Sequence, residues 1–165
     1  MSAWCPRRNS KMTFRSLSAS LLLAACSALA QQSGVLSIEP PQKLTVKRNE
    51  QPVQTLKVSI RPGYHANSSK PSEAYLIPFR LTWEPGPLEA AEVVYPPAKT
   101  EKFSFSETPL SIYDGSFDVV TKFRKTATAQ PGPAVMTGKL RYQACNDKMC
   151  LPPKTVEVKL PLVIE

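Results

Sequence analysis

Cysteine, histidine and glycine are scarce in this chain: four Cys, one His and six Gly among 165 residues. A closed zinc site takes four Cys or His ligands. Two of the cysteines, Cys5 and Cys26, fall in an N-terminal stretch that reads as a leader, which leaves Cys145, Cys150 and His65 and excludes such a site. Soft Cu(I) accepts thiolate and thioether, so Cys145, Met149 and Cys150 form a conceivable copper set. Met149 reads more simply as a loop side chain packed on its neighbours. A lone histidine with no Ser or Cys motif beside it, and carboxylates scattered along the chain, offer neither a triad nor a paired acid and base. No motif implies a cofactor.

Long helices and membrane spans are missing too. Seventeen prolines punctuate the sequence, and an interior proline removes a helical hydrogen bond and clashes with the preceding turn. The one apolar run, "LSASLLLAACSALA" at 17–30, is shorter than the ~20 residues that a spanning helix needs. Arg7, Arg8, Lys11 and Arg15 precede it and small residues end it, which is the plan of a secretory signal over residues 1–30. Met12 begins a complete leader of its own. Ala28-Leu29-Ala30 before Gln31 fits cleavage to a soluble product, whereas Leu23-Ala24-Ala25-Cys26 resembles a lipobox that would make a lipidated Cys26 the first residue. A membrane is a partner only in the second case. Losing the four leader cations leaves 17 Lys and Arg against 13 Asp and Glu, so the net charge drops from +8 to +4. The remaining cations are spread singly, without the runs that track a phosphate backbone, and nucleic acid is not an expected partner.

What is present from residue 31 to 165 is one modest domain of short alternating segments. Leu56, Val58 and Ile60 alternate with polar residues; so do Phe79, Leu81 and Trp83, and likewise Val156, Val158, Leu160 and Leu162. Less regular candidates are "KLTVK", "AEVVYP", "FDVVTKF" and "MTGKLRYQ", with "RPGYH", "EPGP", "YDGS" and "QPGP" as punctuation between strands. Seven or more short strands predict an all-β, immunoglobulin-like antiparallel β-sandwich, with prolines confined to edges and strand starts.

The chemistry concentrates in "YQACNDKMCLPP", Tyr142 to Pro153. In an oxidising exported compartment Cys145 and Cys150 are expected to be bonded to each other. As a staple the bond would do little. A six-residue ring is worth about 2 kcal/mol in the chain-entropy account, against roughly 4 to 5 for a ring of a hundred residues. A structural bond and an exchange-active bond both remain open on spacing alone. Lys148 would favour a thiolate and Asp147 oppose it, and the two could equally be a solvated pair.

"YQACNDKMCLPP" resembles the active-site hairpin of the N-terminal periplasmic domain of the thiol:disulfide interchange protein DsbD. The similarity continues through "PGYHANSSKPSEAYLIPFRL" and "VVYPPAKTEKFSFSETPLSIYDGSF" to the last strand, over roughly residues 35–165. It implies a periplasmic or otherwise exported immunoglobulin-like domain that relays reducing equivalents. Cys145 and Cys150 would be reduced by a thioredoxin-like protein and would then reduce disulfides elsewhere, with Cys150 bonding the partner and Cys145 resolving. The family's membrane segment and C-terminal thioredoxin-like domain are not part of this sequence, so a separate membrane reductant is the expected electron source. The best-known members have five residues between the cysteines where this chain has four. Phe103 and Phe105 stand where the family has a loop capping its thiols, although "KFSFS" also alternates like a core strand. Tyr64, His65 and Tyr142 would neighbour the site, or simply pack in the core. The alternatives to exchange are a non-catalytic binding or scaffold sandwich with a static disulfide and, third, a copper-handling domain.

The two cleavage patterns yield a direct prediction: the exported product begins at Gln31 and carries no lipid. Intact-mass measurement checks it, and a lipid-modified Cys26 at the new N-terminus would refute it.

Overall fold

The computed structural model describes Met1 and residues 34–165, so the proposed leader, with Cys5 and Cys26, lies outside the described residues. From Gly34 onward every regular element is a strand. In chain order they are β1 (Leu36–Ile38), β2 (Leu44–Val46), β3 (Val53–Ile60), β4 (His65–Asn67), β5 (Arg80–Trp83), β6 (Leu88–Val94), β7 (Lys99–Glu101), β8 (Leu110–Tyr113), β9 (Ser116–Lys125), β10 (Gly132–Tyr142), β11 (Ala144–Cys145) and β12 (Lys154–Ile164).

These strands form three four-stranded sheets, ordered β1-β3-β9-β6, β2-β12-β10-β5 and β11-β4-β8-β7. The first two pack face to face, as the alternation in β3, β9, β10 and β12 requires. Leu56, Val58 and Val119 of one meet Leu81, Leu140 and Val158 of the other in a shared core, with Phe79 among them. A second cluster continues the sandwich interior through Val46, Leu88, Phe123, Met136, Leu160 and Leu162. Trp83 touches both clusters. Its indole N–H donates to the fully buried Thr121 hydroxyl of the facing sheet at 3.1 Å, which satisfies a polar group that would otherwise be costly to bury. Gly138 lies under the same ring, where a Cβ would come within 3.1 Å of it. All ladders are antiparallel except β2–β12, which is parallel.

Two sequence expectations are corrected. Prolines are not confined to edges and strand starts: Pro161 sits inside β12 opposite Val135. It is tolerated because β2 joins the other side of β12 only from Leu162 on, so at Pro161 one flank has no ladder to supply. "KFSFS" is not a strand. Its Phe103 and Phe105 lie in a turn between β7 and β8, with Ser106 N–H donating to Phe103 C=O at 3.2 Å. The short strands β1, β4, β7, β8 and β11 have no clear alternation of their own, and they are strands because neighbours supply their hydrogen bonds.

The third sheet stands at one end and exists by pairing across long sequence distances: Cys145 with His65, Ala66 with Tyr113, and Lys99 with Ile112. Its two faces do different things. Ala66, Tyr113 and Ala144 point into the main core, whereas Leu110 and Ile112 form a small separate cluster with Phe103 and Leu76. His65 and Cys145, each adjacent in sequence to a core-facing alanine, therefore belong to the face that carries Phe103.

Candidate functional site

The β10–β12 ladder runs in unbroken register from Gly132↔Ile164 to Tyr142↔Lys154, so the segment between Tyr142 and Lys154 is the hairpin's connection. The connection folds into a smaller hairpin. Leu151 N–H donates to Ala144 C=O at 2.8 Å, Cys145 faces Cys150, and Asn146 N–H donates to Met149 C=O at 3.0 Å. Asn146 explains the tight tip: its Oδ1 accepts from the backbone N–H of both Lys148 and Met149 at 2.9 Å, the local bonding that Asn side chains offer in turns. At the base, Gln143 Nε2 donates to Leu151 C=O at 3.2 Å, while its Oε1 accepts from Asn67 Nδ2 at 3.4 Å.

Cys145 and Cys150 are disulfide-bonded, with Cα atoms 3.9 Å apart. Their surroundings differ sharply. Cys145 is fully buried, and Cys150 is half-buried beside exposed Asp147, Lys148 and Met149. Met149 is 59% exposed, so the packing that the sequence suggests for it buries less than half of the residue. Removing a ring worth about 2 kcal/mol leaves the sandwich intact, because single core side chains such as Phe79, Leu140 and Leu160 each contribute about 1.5–3 kcal/mol by burial.

Over this face lies the turn after β7. Phe103, 7% exposed, stacks on the His65 ring at 4.2 Å between centroids, and Phe105, 43% exposed, stacks outside Phe103 at 5.3 Å. The turn is tied down by polar contacts. Lys102 Nζ donates to the carbonyls of Ser106 and Glu107, Ser106 Oγ donates to Thr108 C=O at 2.6 Å, and Thr108 Oγ1 donates to Glu73 Oε1 at 2.9 Å. Both candidate tyrosines touch the main core. Tyr142 is buried in the main core, where burial pushes its phenol pKa up. Tyr64 is half-buried under the Arg61 guanidinium, 4.7 Å from its ring, and lines a small cleft.

That cleft, of about 150 Å³, is bounded by Gly63, Tyr64, His65, Glu101, Phe103, Ile112, Asp114 and Asp147. Periodicity left His65 without a partner. The β4–β11 register, joining segments eighty residues apart, sets it directly opposite Cys145. His65 is 4% exposed and its Nε2 has no hydrogen-bond partner among the described residues; Asn67 Oδ1, on the same face, also lacks one. Asp114 Oδ1 accepts no hydrogen bond but forms an ion pair with Lys99. Buried polar atoms are normally satisfied, so their concentration on this face marks it as more than packing. The family resemblance places His65 near the cysteines, whereas no local signal in the sequence points to Glu101, Asp114 or Asp147 as its neighbours. Among the described residues no group of three or more His, Cys, Asp or Glu is arranged to hold a metal ion, and no helix is long and apolar enough to cross a membrane.

The sequence model of a family described as "Thiol:disulfide interchange protein DsbD, N-terminal" matches residues 32–162. Two similar solved structures are the reduced DsbD N-terminal domain of Neisseria meningitidis and the N-terminal periplasmic domain of ScsB from Proteus mirabilis. The first has 19% identity over 73% of this chain and 82% of that one, with a TM-score of 0.46. The second has 12% identity over 76% of this chain and 44% of that one, with a TM-score of 0.52. At 12% identity the likeness to the ScsB domain is one of fold. No curated protein matches the sequence.

Burial is the largest influence on the His65 imidazole and lowers its pKa from 6.5, against the opposing pull of Glu101, Asp147 and Asp114. The unfolded chain therefore takes up this proton at a higher pH than the folded one. The stabilisation is present above about pH 6.5 and is lost as pH falls through the unfolded value toward the folded one. Wild type should lose stability relative to His65→Phe as the pH falls through that window. Urea denaturation at a series of pH values measures it, and a difference constant with pH would show that His65 titrates alike in both states.

Proposed function

The chain belongs to the DsbD N-terminal family of thiol:disulfide interchange domains, and from that premise we propose that it is an exported, periplasmic module relaying reducing equivalents through Cys145 and Cys150. The observation that carries this reading is the asymmetry of the pair: one sulfur fully buried, the other accessible, in a loop held by hydrogen bonds that do not depend on the disulfide. A static bond needs no such asymmetry. A relay does, because exchange proceeds by thiolate attack on one sulfur through a mixed disulfide, and the second thiol then resolves it.

In the reductive direction, a thiolate of a thioredoxin-like partner attacks Cys150 Sγ, the Cys145–Cys150 bond breaks, and Cys145 leaves with the electron pair. The partner's second thiol then displaces Cys150, so the partner ends as a disulfide and this domain as a dithiol. The dithiol passes the same two electrons to an oxidised exported protein by the reverse sequence. The reducing partner is itself recharged by a separate membrane reductant. Phe103 acts as the lid of the site, shielding the buried side of the pair through its stack on His65, while the more exposed Phe105 is its outer leaf.

Two measurements test this reading. Cys145→Ala should trap a covalent complex with a thioredoxin-like protein lacking its own resolving cysteine, and Cys150→Ala should trap little, as read on non-reducing gels. Equal trapping would remove the asymmetry, and none by either would favour the static disulfide. In the reduced wild type, Phe103→Ala should raise the rate of modification by a bulky alkylating agent about tenfold or more, on the scale of local opening free energies of a kcal/mol or two, and Phe105→Ala should raise it less. An unchanged rate in a folded Phe103→Ala protein would mean that the ring is not a lid.

A further inference from the structure

We propose that His65 is the proton acceptor and donor for Cys145, backed by Asp114, in a Cys145–His65–Asp114 row that crosses three strands of the end sheet. The assignment rests on the exchange reading above and extends it to a residue outside the cysteine loop.

The geometry comes from strand register. Cys145 of β11 pairs directly with His65 of β4, and side chains opposite each other in an antiparallel ladder share a face, with Cβ atoms about 4.5–5.5 Å apart. On the other side of β4, Asn67 pairs with Ile112 and Ala66 with Tyr113. The same register carried one residue further brings Asp114 across from His65, and both line the same cleft. The order nucleophile, imidazole, carboxylate is the one by which a base accepts a proton from a thiol while a third group orients it and stabilises its cationic form.

Burial makes the arrangement necessary. A fully buried Cys145 has no water to take its proton, and an apolar site raises a thiol's pKa, so an unaided Cys145 would resolve slowly at neutral pH. His65 is kept neutral by the same burial, hence able to accept. Its Nε2 has no partner in the oxidised protein, where Cys145 Sγ has no hydrogen to give; reduction creates the donor. The groups facing His65 from the surrounding elements suit the charged intermediate. Glu101 comes from β7, Asp114 from the end of β8 with Lys99 of β7 paired to it, and Asp147 from the cysteine loop; Phe103 closes over the ring from the cap turn. Three carboxylates against one ammonium favour an imidazolium that lasts only as long as the step.

In ring closure, a mixed disulfide Cys150–S–S–R is attacked by Cys145 Sγ as its proton passes to His65. The Cys145–Cys150 bond forms, the Cys150–S–R bond breaks, and R–S⁻ leaves with the electron pair. The imidazolium then releases its proton to solvent through the cleft. In ring opening, the proton travels from solvent through His65 to the departing Cys145 thiolate.

The test uses the reduced protein and an aromatic disulfide, 5,5′-dithiobis(2-nitrobenzoate), followed by stopped flow. The first equivalent of coloured thiolate reports attack on the probe, and the second, independent of probe concentration, reports ring closure by Cys145. In His65→Phe, which keeps a ring for Phe103 to stack on, the second phase should be at least about tenfold slower near pH 7, a conservative fraction of what general acid–base help supplies. The deficit should narrow as the pH rises into the alkaline range, because hydroxide then takes the Cys145 proton in place of His65. Asp114→Asn should show a smaller deficit with the same pH dependence. His65→Gln serves as the second variant if His65→Phe folds poorly. A deficit of the same factor at every pH, or no deficit, overturns the proposal, and so does a wild type with no second phase. A wild type that closes its ring on the probe but is not oxidised or reduced by any thioredoxin-like partner defeats the relay reading and leaves the proton row standing.

Discussion

The register of β10 against β12 is the constraint on which the rest depends. Eleven consecutive pairs between Gly132↔Ile164 and Tyr142↔Lys154 leave no freedom in where the connection begins or which way its first residues face. A slip by one residue would turn Leu140, Val158 and Leu160 out of the core and exchange the faces of every residue in the loop. The hydrophobic content of this ladder thus sets, at its far end, that Ala144 faces the core and Cys145 the cap.

A redox site imposes a demand that a structural disulfide does not: the fold has to be indifferent to whether the bond is present. Here the core interaction energy lies between the two large sheets, and the six-residue ring lies at their tip. Asn146 closes the turn and Gln143 anchors its base to Asn67, contacts that do not depend on the disulfide. The polar side chains of the loop therefore supply preorganisation, which in exchange chemistry lowers the entropy cost of the resolving step.

The end sheet contributes a second kind of order. Its strands are too short to be stable alone, and β7 is exposed throughout, yet they collect His65, Asn67, Asp114 and Glu101 on one face beside Cys145. Polar atoms left without partners in such a place cost stability. That the fold carries them in the cleft while satisfying Thr121 and Ser68 elsewhere separates a site from ordinary packing. Phe103 stacks over the His65 ring on this face, with Phe105 stacked outside it.

Sequence alone marked β3, β5 and β12, because alternation with period two is a local consequence of having one face buried; β10 alternates less regularly and begins inside the "QPGP" that reads as punctuation. The sequence also singled out the cysteine pair, since Cys145 and Cys150 are the two thiols outside the stretch that reads as a leader. The family likewise followed from motif order along the chain. Tertiary structure alone decided what pairing across distance decides. It made a turn of "KFSFS", sent Tyr142 to the core and Tyr64 to the cleft wall, and left Met149 exposed. It set His65 opposite Cys145 with Asp114 beyond. No periodicity announces strands of two or three residues, because their hydrogen bonds and burial come from other segments of the chain, Cys145 for instance pairing with His65, and a lone histidine gains its chemistry only from the strand that happens to lie beside it.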